Sequence, residues 1–312
     1  MQKERKWLQW VRRQAEAAAG ARRPELRLGI GDDAALLRAR RGWETVHTTD
    51  LFVEGVHFLR ARDPALVCGR RLAARALSDL AAMGAEPLAL LVSTAFPQQL
   101  PVSWARSFYR GLLRTASEAG AALVGGDCSV CPGPIVLDAV GVGQVPAGSA
   151  LRRSGARRGD RIFVSGALGE AAWGRELTHG GKAAGTAAER RARARHAHPQ
   201  PRWQLGLALR HRASAALDLS DGLAVDLGHL CQESGLGAEI EVDKVPAPAG
   251  LERALYGGED YELLFTLPAG KRAPAFTGLR EIGVITAKPG CWLRYGDGRR
   301  RRLLPRGWQH WQ

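Results

Sequence analysis

A set of carboxylates in this chain stands in apolar or glycine-rich surroundings. Asp32 and Asp33 close GIGDD, Asp50 ends HTTD, Asp79 lies in LSDLAAMGAEP, Asp127 ends GGD, Asp218 and Asp221 bracket DLSD, and Glu259 and Asp260 end GGED. Most fall at expected strand ends beside glycine or a hydroxyl residue. Glycine lets backbone approach a ligand closely, and Thr48, Thr49 and Ser220 add neutral oxygens, so the combined chemistry is oxygen-only ligation of a hard cation. The acids are dispersed rather than gathered in one EF-hand-type loop, which favours magnesium acting with phosphates over calcium. No GxxxxGK[ST] is present, because Gly181-Lys182 is followed by Ala183 and lacks the upstream glycine, and neither HRD nor DFG occurs. A nucleotide bound here would be cradled by acids and magnesium.

Those acids must be positioned by alternating strands and helices. Residues 3–19 have helical composition, and short apolar runs at 34–37 and 45–49 read as strands flanking the glycine-acid loop. Asp63-Pro64 is a helix start, an N-cap carboxylate followed by proline at the first helical position, and the pattern runs to Met83 before Gly84. On that helix Leu72, Ala76, Leu80 and Met83 form an inward stripe with Asp79 beside it. A buried carboxylate there must be protonated, paired with an arginine or bound to a metal, and the helix alone does not choose. A strand at 89–96, a helix at 102–119 and strands at 122–127 and 134–145 follow. The small, polar, basic stretch 146–160 has no apolar period and marks a boundary, giving an N-terminal domain over 1–148 and a C-terminal domain over 149–312. The second half begins afresh with a strand at 161–166, a polar stretch at 180–195 that reads as a mobile loop, a strand turning into a helix at 216–230, and a strand at 261–267 reached through GGED. The class is mixed α/β and α+β, without a dinucleotide glycine fingerprint.

Bulk properties narrow the function classes. With 312 residues and 45% hydrophobic content the chain can bury two cores. The opening MQKERKWLQWVRR has no apolar signal region and no later run is long enough to span a bilayer, so a cytoplasmic protein is expected. Five scattered cysteines fit a reducing compartment, and the CxxC of Cys128 and Cys131 lacks a second pair at zinc-ribbon spacing. The net charge of +14 comes almost wholly from arginine, only six residues being lysine. The runs 190–195 and 299–302 read as solvated charge, and no nucleic-acid reader motif accompanies them.

The segments GIGDDAALL, HTTDLFVEGVHF, LSDLAAMGAEP, LVGGD, LRRSG, LDLSDGLAVDLGHL and GGEDYELLFT occur in the order and approximate spacing of the thiamine-monophosphate kinase family, and the resemblance runs from Gly29 to Trp311. That family is similar in fold to aminoimidazole-ribonucleotide synthetase, a two-domain architecture whose N-terminal α/β domain dimerises through its sheet while a C-terminal α+β domain covers the ATP cleft. The resemblance implies transfer of the γ-phosphoryl group of ATP to thiamine monophosphate, giving thiamine diphosphate, in a homodimer with no nucleic acid or membrane partner. It implies magnesium ligation by Asp33, Thr48, Thr49, Asp50, Asp79, Asp127, Asp218 and Asp221. ATP would meet Gly126, Asp127, Arg153 and Ser220. Thiamine monophosphate would meet His57, Glu259 and Trp311, a tryptophan where phenylalanine or tyrosine is more usual. The chain departs from the family's pattern at its N-terminus, at Cys128 after GGD in place of threonine, and in the arginine- and alanine-rich 180–195.

Several residues carry a second reading. His57 also fits a structural histidine at a strand end, Arg153 a solvated linker charge, and Trp311 an anchor for the tail. Other ATP-using members of the superfamily, such as selenophosphate synthetases and hydrogenase-maturation proteins, rely on a reactive cysteine near one terminus, and Cys291 lacks such a setting. A sensor that binds thiamine nucleotides without turnover is the reading from a different class, and the intact acids weigh against it.

Overall fold

The computed structural model describes residues 2–18, 24–181, 183 and 185–307. Its chain divides into two compact units, Met1–Leu80 with Ala85–Gly148, and Ala81–Gly84 with Ser149–Gln312. The first unit runs α1 (Gln2–Ala18), β1 (Leu26–Leu28), β2 (Leu36–Leu37), β3 (Trp43–Val53), α2 (Ala65–Ala82), β4 (Glu86–Pro97), α3 (Val102–Glu118), β5 (Ala122–Gly125), β6 (Cys128–Cys131) and β7 (Val136–Pro146), the end of α2 passing into the second unit. β1 and β2 form a small ribbon, and the main sheet has the order β3-β7-β4-β5, with β6 added beside β4. β4, EPLALLVSTAFP, is a nearly continuous apolar run, the pattern of a central strand covered on both faces, and it sits between β7 and β5.

α2 lies over β7, where Ala76 and Leu80 come against Gly141 and Gly143. Of the predicted stripe, Leu72, Ala76 and Leu80 are fully buried with Asp79 at their edge, whereas Met83 lies just past the end of α2 and is half-buried. In the register of β3 with β7, Thr48 faces Gly141 and Asp50 faces Ala139. Strand alternation therefore sets Thr48 and Asp50 on the α2 side and Thr49 with Leu51 on the other. α2 begins at Ala65, one residue after the expected first helical position at Pro64, and the Asp63 carboxylate before it accepts the upstream Leu59 amide at 2.8 Å.

Two details of this unit differ from expectation. The stretch after GGD, which lies between the two expected strands, forms the further strand β6. Within it Cys128 and Cys131 are three residues apart, so strand alternation points their thiols to opposite faces and the CxxC does not close on one ion or on itself. β3 begins at Trp43 and ends at Val53, longer than the run of apolar residues, because pairing with β7 along its whole length satisfies the backbone of its polar positions.

The second unit runs β8 (Arg161–Val164), α4 (Glu170–His179), α5 (Ala187–Ala197), α6 (Trp203–Leu209), β9 (Ala215–Asp218), α7 (Leu223–Ser234), β10 (Gly237–Glu241), a short 3₁₀ turn, α8 (Leu251–Tyr256), β11 (Leu263–Leu267), β12 (Arg280–Thr286), β13 (Gly290–Arg294) and β14 (Arg300–Arg302). Its sheet has the order β14-β13-β10-β12-β8-β11-β9. α7 packs Leu227 and Leu230 into a core with Leu217, Ile240 and Leu293. Phe163 and Phe265, stacked at 5.4 Å, belong to a second cluster with Leu205 and Leu209 of α6.

The expectation of a mobile loop over 180–195 is overturned, since most of that stretch is the helix α5. Thr186 and Glu189 form a capping box, the reciprocal pair that starts a helix. Gly174 of α4 allows close packing, as a Cβ there would lie 2.1 Å from the Ala192 carbonyl oxygen. The arginine run is not simply solvated: Arg191 pairs with Glu170, and Arg195 lies 3.7 Å from both Glu170 and Glu262. At the other run, Arg300 pairs with Glu239 at 2.7 Å. Among the described residues no helix is long and apolar enough to cross a membrane.

Candidate functional site

The first unit presents its acids in two groups. Thr48, Thr49 and Asp50 come from β3, Asp79 from α2 and Asp138 from β7. The Thr48 hydroxyl donates to the Asp79 carboxylate, and the Thr49 hydroxyl donates to Asp138 at 2.7 Å. Arg75 lies 3.4 Å from one oxygen of Asp50. The other, Asp50 Oδ2, is buried with no hydrogen-bond partner among the described residues. Burial, then the neighbouring charge of Asp79, pushes the Asp50 carboxyl up to about 7, Asp138 adding to the rise and Arg75 opposing it. A divalent cation would offset both the burial and the Asp79 charge by favouring the ionised carboxylates, and the oxygen-only donor set with an orphaned carboxylate oxygen fits one.

The second group lines a pocket of about 630 Å³ that includes Asp32, Asp33, Gly126 and Asp127, with Ser93 and His47. Asp33 and Asp127 are exposed, and the Asp33 amide donates to Asp32 at 2.9 Å. Gly126 has φ +146° and lies so close to β4 that a Cβ would fall 2.0 Å from the Val92 carbonyl oxygen. The GGD loop is held there by the Thr94 amide donating to the Asp127 carbonyl at 2.9 Å. His57 is fixed by its backbone surroundings: Nδ1 accepts the Val53 amide at 3.0 Å and its ring stacks on Phe52. When neutral it therefore carries its proton on Nε2.

In the second unit β9 delivers a buried Asp218 to the sheet end, and the chain turns through Ser220, Asp221 and Gly222 into α7. Asp226, buried on the first turn of α7, reaches back so that Oδ2 accepts the amides of Asp221 at 3.1 Å and Gly222 at 3.0 Å. Burial first and the Asp221 charge second push the Asp226 carboxyl up to about 7, while the charge of Arg153 pulls it down. Arg153 is exposed. The GGED loop lies alongside: the Glu259 amide donates to the Ser220 carbonyl at 2.8 Å and the Tyr261 amide to the Leu219 carbonyl at 2.9 Å. Glu259 and Tyr261 both have positive φ, a conformation that L-residues adopt only where surrounding contacts impose it.

Asp218, Ser220, Asp221 and Glu259 are thus gathered around one turn, with the charge of Arg153 felt at Asp226, whereas Asp260 leaves the group. Its carboxylate folds inward to accept the amides of Gly169 at 2.7 Å and Ala171 at 3.4 Å, where α4 begins, and burial pushes it up to about 8. Trp311 lies outside the described residues. Sequence reasoning missed Asp138, a lone charge in the apolar run of β7, and Asp226, which follows Asp221 at the start of a helix where a backward-reaching acceptor belongs. It also missed His196 of α5, whose Nδ1 is 3.7 Å from Glu259.

Two mixed α/β units whose strand ends carry acids define an AIR synthase-related protein. The family model "AIR synthase related protein, N-terminal domain" matches residues 31–145, and "AIR synthase related protein, C-terminal domain" matches 157–290. The thiamine-monophosphate kinase of Salmonella typhimurium is 39% identical over 273 residues, covering 84% of this chain and 83% of that protein. A crystal structure of the thiamine-monophosphate kinase of Stenotrophomonas maltophilia superposes with a TM-score of 0.81 at 37% identity, covering 92% of this chain and 95% of the other. A solved structure of AaThiL complexed with AMPPCP and TMP superposes with a TM-score of 0.80 at 34% identity, covering 88% and 89%. The chain belongs to the thiamine-monophosphate kinase family.

Proposed function

We propose that this chain transfers the γ-phosphoryl group of ATP to the phosphate of thiamine monophosphate, giving thiamine diphosphate and ADP. Membership of the family supports the reaction, and the relative that binds AMPPCP and TMP supports both substrates. The observation that carries the metal-assisted form of the reading is the buried Asp50 Oδ2, without a hydrogen-bond partner among the described residues, on the face of β3 that also carries Thr48 and its partner Asp79, while Thr49 lies on the opposite face with Asp138. In this reading Asp33, Thr48, Thr49, Asp50, Asp79, Asp127, Asp218 and Asp221 hold magnesium, which when bound neutralises charge on the transferring phosphoryl group.

The remaining work falls to side chains and backbone. Gly126, Asp127, Arg153 and Ser220 meet ATP, the exposed Arg153 guanidinium pairing with phosphate oxygens. His57, Glu259 and Trp311 meet thiamine monophosphate. As the bond from the γ-phosphorus to the acceptor phosphate oxygen forms, its bond to the bridging oxygen breaks and ADP leaves with those electrons. The acceptor phosphate is already mostly ionised near neutral pH, so no residue is needed as a base. The division at residues 148 and 149 separates an N-terminal part that dimerises and binds metal and ATP from a C-terminal part that completes the substrate site. Pairing of two copies is supported by the first unit's sheet, which ends in β3 and leaves Leu51 58% exposed on its outward face. A cytoplasmic setting is supported by five free cysteines.

The test is an acceptor panel. ATP should be consumed with thiamine monophosphate, and thiamine diphosphate and ADP should appear in equal amounts by anion-exchange chromatography. Equal consumption with free thiamine or with unrelated phosphomonoesters would contradict the reading.

A further inference from the structure

The five cysteines differ in what their thiols face. Cys68 is buried with its sulfur 3.8 Å from the Asp63 carbonyl, and Cys131 lies 3.2 Å from the Pro134 carbonyl. Cys128 and Cys131 point to opposite faces of β6. Only Cys231 and Cys291 meet another thiol, Sγ to Sγ at 3.8 Å, although 60 residues separate them. Cys231 lies near the C-terminal end of α7, and Cys291 lies on β13, the strand beside the sheet's edge strand. Both are in the main core of the second unit, Cys231 3% and Cys291 8% exposed.

We propose that Cys231 and Cys291 are a site of thiol oxidation, closing to a disulfide that ties α7 to β13 when the protein meets a hydroperoxide. Their contact leaves less than two ångströms of approach to reach bonding distance, about 2 Å for a disulfide. The side chains are already oriented toward each other across an interface of helix on sheet. Their mutual hydrogen bond holds the Cys291 thiol below its ordinary value against burial, and the same bond, with burial, pushes Cys231 up. Cys291, the more exposed, is accordingly the sulfur that reacts first as thiolate.

The step balances in two stages. The Cys291 thiolate attacks one peroxide oxygen, the O–O bond breaks, and a sulfenic acid and hydroxide form. The Cys231 sulfur then displaces the sulfenic oxygen, giving the S–S bond. The two sulfurs give up two electrons to the peroxide, and their two protons leave in two waters when hydrogen peroxide is the oxidant. The link closes a 60-residue loop, which lowers the entropy of the unfolded chain and stabilises the folded unit. The inference is independent of the reaction proposed above.

Full-length protein, freed of reductant, would be titrated with hydrogen peroxide, quenched with iodoacetamide and digested without reduction. The expected result is a cross-linked peptide pair joining Cys231 to Cys291, lighter than the sum of its parts by two hydrogens. The melting temperature should rise on the order of 10 °C, reversibly with dithiothreitol. Cys231→Ser and Cys291→Ser should each abolish the rise. If either variant fails to fold, the peptide map of the unsubstituted protein still decides. The proposal is overturned if Cys128 and Cys131 become oxidised while Cys231 and Cys291 stay unlinked. It is overturned equally by a linked pair with no rise in melting temperature, because the link would then form only in unfolded molecules.

Discussion

Asp226 separates the electrostatic cost of a buried carboxylate from the hydrogen bonds that make it worth keeping. Its Oδ2 accepts the amides of Asp221 and Gly222, and the residue is only 3% exposed. Asp226→Ala leaves two amides without an acceptor, at about 1–3 kcal/mol each if water does not reach them. A net loss of roughly 2–4 kcal/mol follows near pH 4, where the carboxyl is neutral, or a fall of about 4–16 °C for a unit of this size, and it shrinks as pH rises through 7. Asp226→Asn keeps a carbonyl oxygen and removes the charge. The carboxyl is raised from 3.8 to about 7, so ionising it in the fold costs on the order of 4 kcal/mol relative to the unfolded chain. Because the folded value is raised, the stability it contributes is full below about pH 4 and is lost as pH rises through 7. The amide has no such titration, so Asp226→Asn should gain on the unsubstituted protein steadily between those limits and level off above. Thermal melts by circular dichroism in EDTA, from pH 4 to 8, measure both variants without metal on Asp221. The reasoning fails if Asp226→Ala melts with the unsubstituted protein at pH 4, where the carboxyl is neutral, or if Asp226→Asn is as damaging as alanine at every pH.

Two further outcomes follow from the same geometry. Asp79→Asn and Asp221→Asn should each lower turnover at limiting magnesium at least roughly tenfold while melting within a few degrees of the unsubstituted protein, since an amide keeps the shape but not the charge. Near-normal turnover at low magnesium would remove that residue from the proposed ligands. Asp260, raised to about 8 by burial, contributes stability that is full below about pH 4 and lost as pH rises through 8. Asp260→Asn should therefore flatten the decline in melting temperature across that window, and an unchanged pH profile would show that Asp260 does not titrate as its burial requires.

The acids at strand ends and the mixed architecture were legible because glycine, hydroxyl and carboxylate residues recur at the close of apolar runs. The inward stripe of α2 was legible for the same reason, as Ala76 and Leu80 keep a helical period. What residue types could not separate was a ligand from a clamp. Glu259 and Asp260 are adjacent and alike, yet Glu259 lies against Ser220 while Asp260 folds back on the start of α4, a divergence set by positive φ at Glu259 and Tyr261. Asp226 is one more acid in DLSDGLAVDL until its bonds to two amides show that it shapes the turn. α5 was hidden by low-complexity composition, although alanine and arginine are good helix formers and TAAE is a capping box in plain view. Asp138 pairs with Thr49 across two strands, and only the register of β3 with β7 brings them together.

The most direct test of the central claim is release of ADP from ATP by the purified chain, measured with and without thiamine monophosphate and with and without magnesium. The account predicts release only when both are present and loss of release on adding EDTA. Release that continues unchanged in EDTA, or that proceeds equally well without thiamine monophosphate, would contradict it.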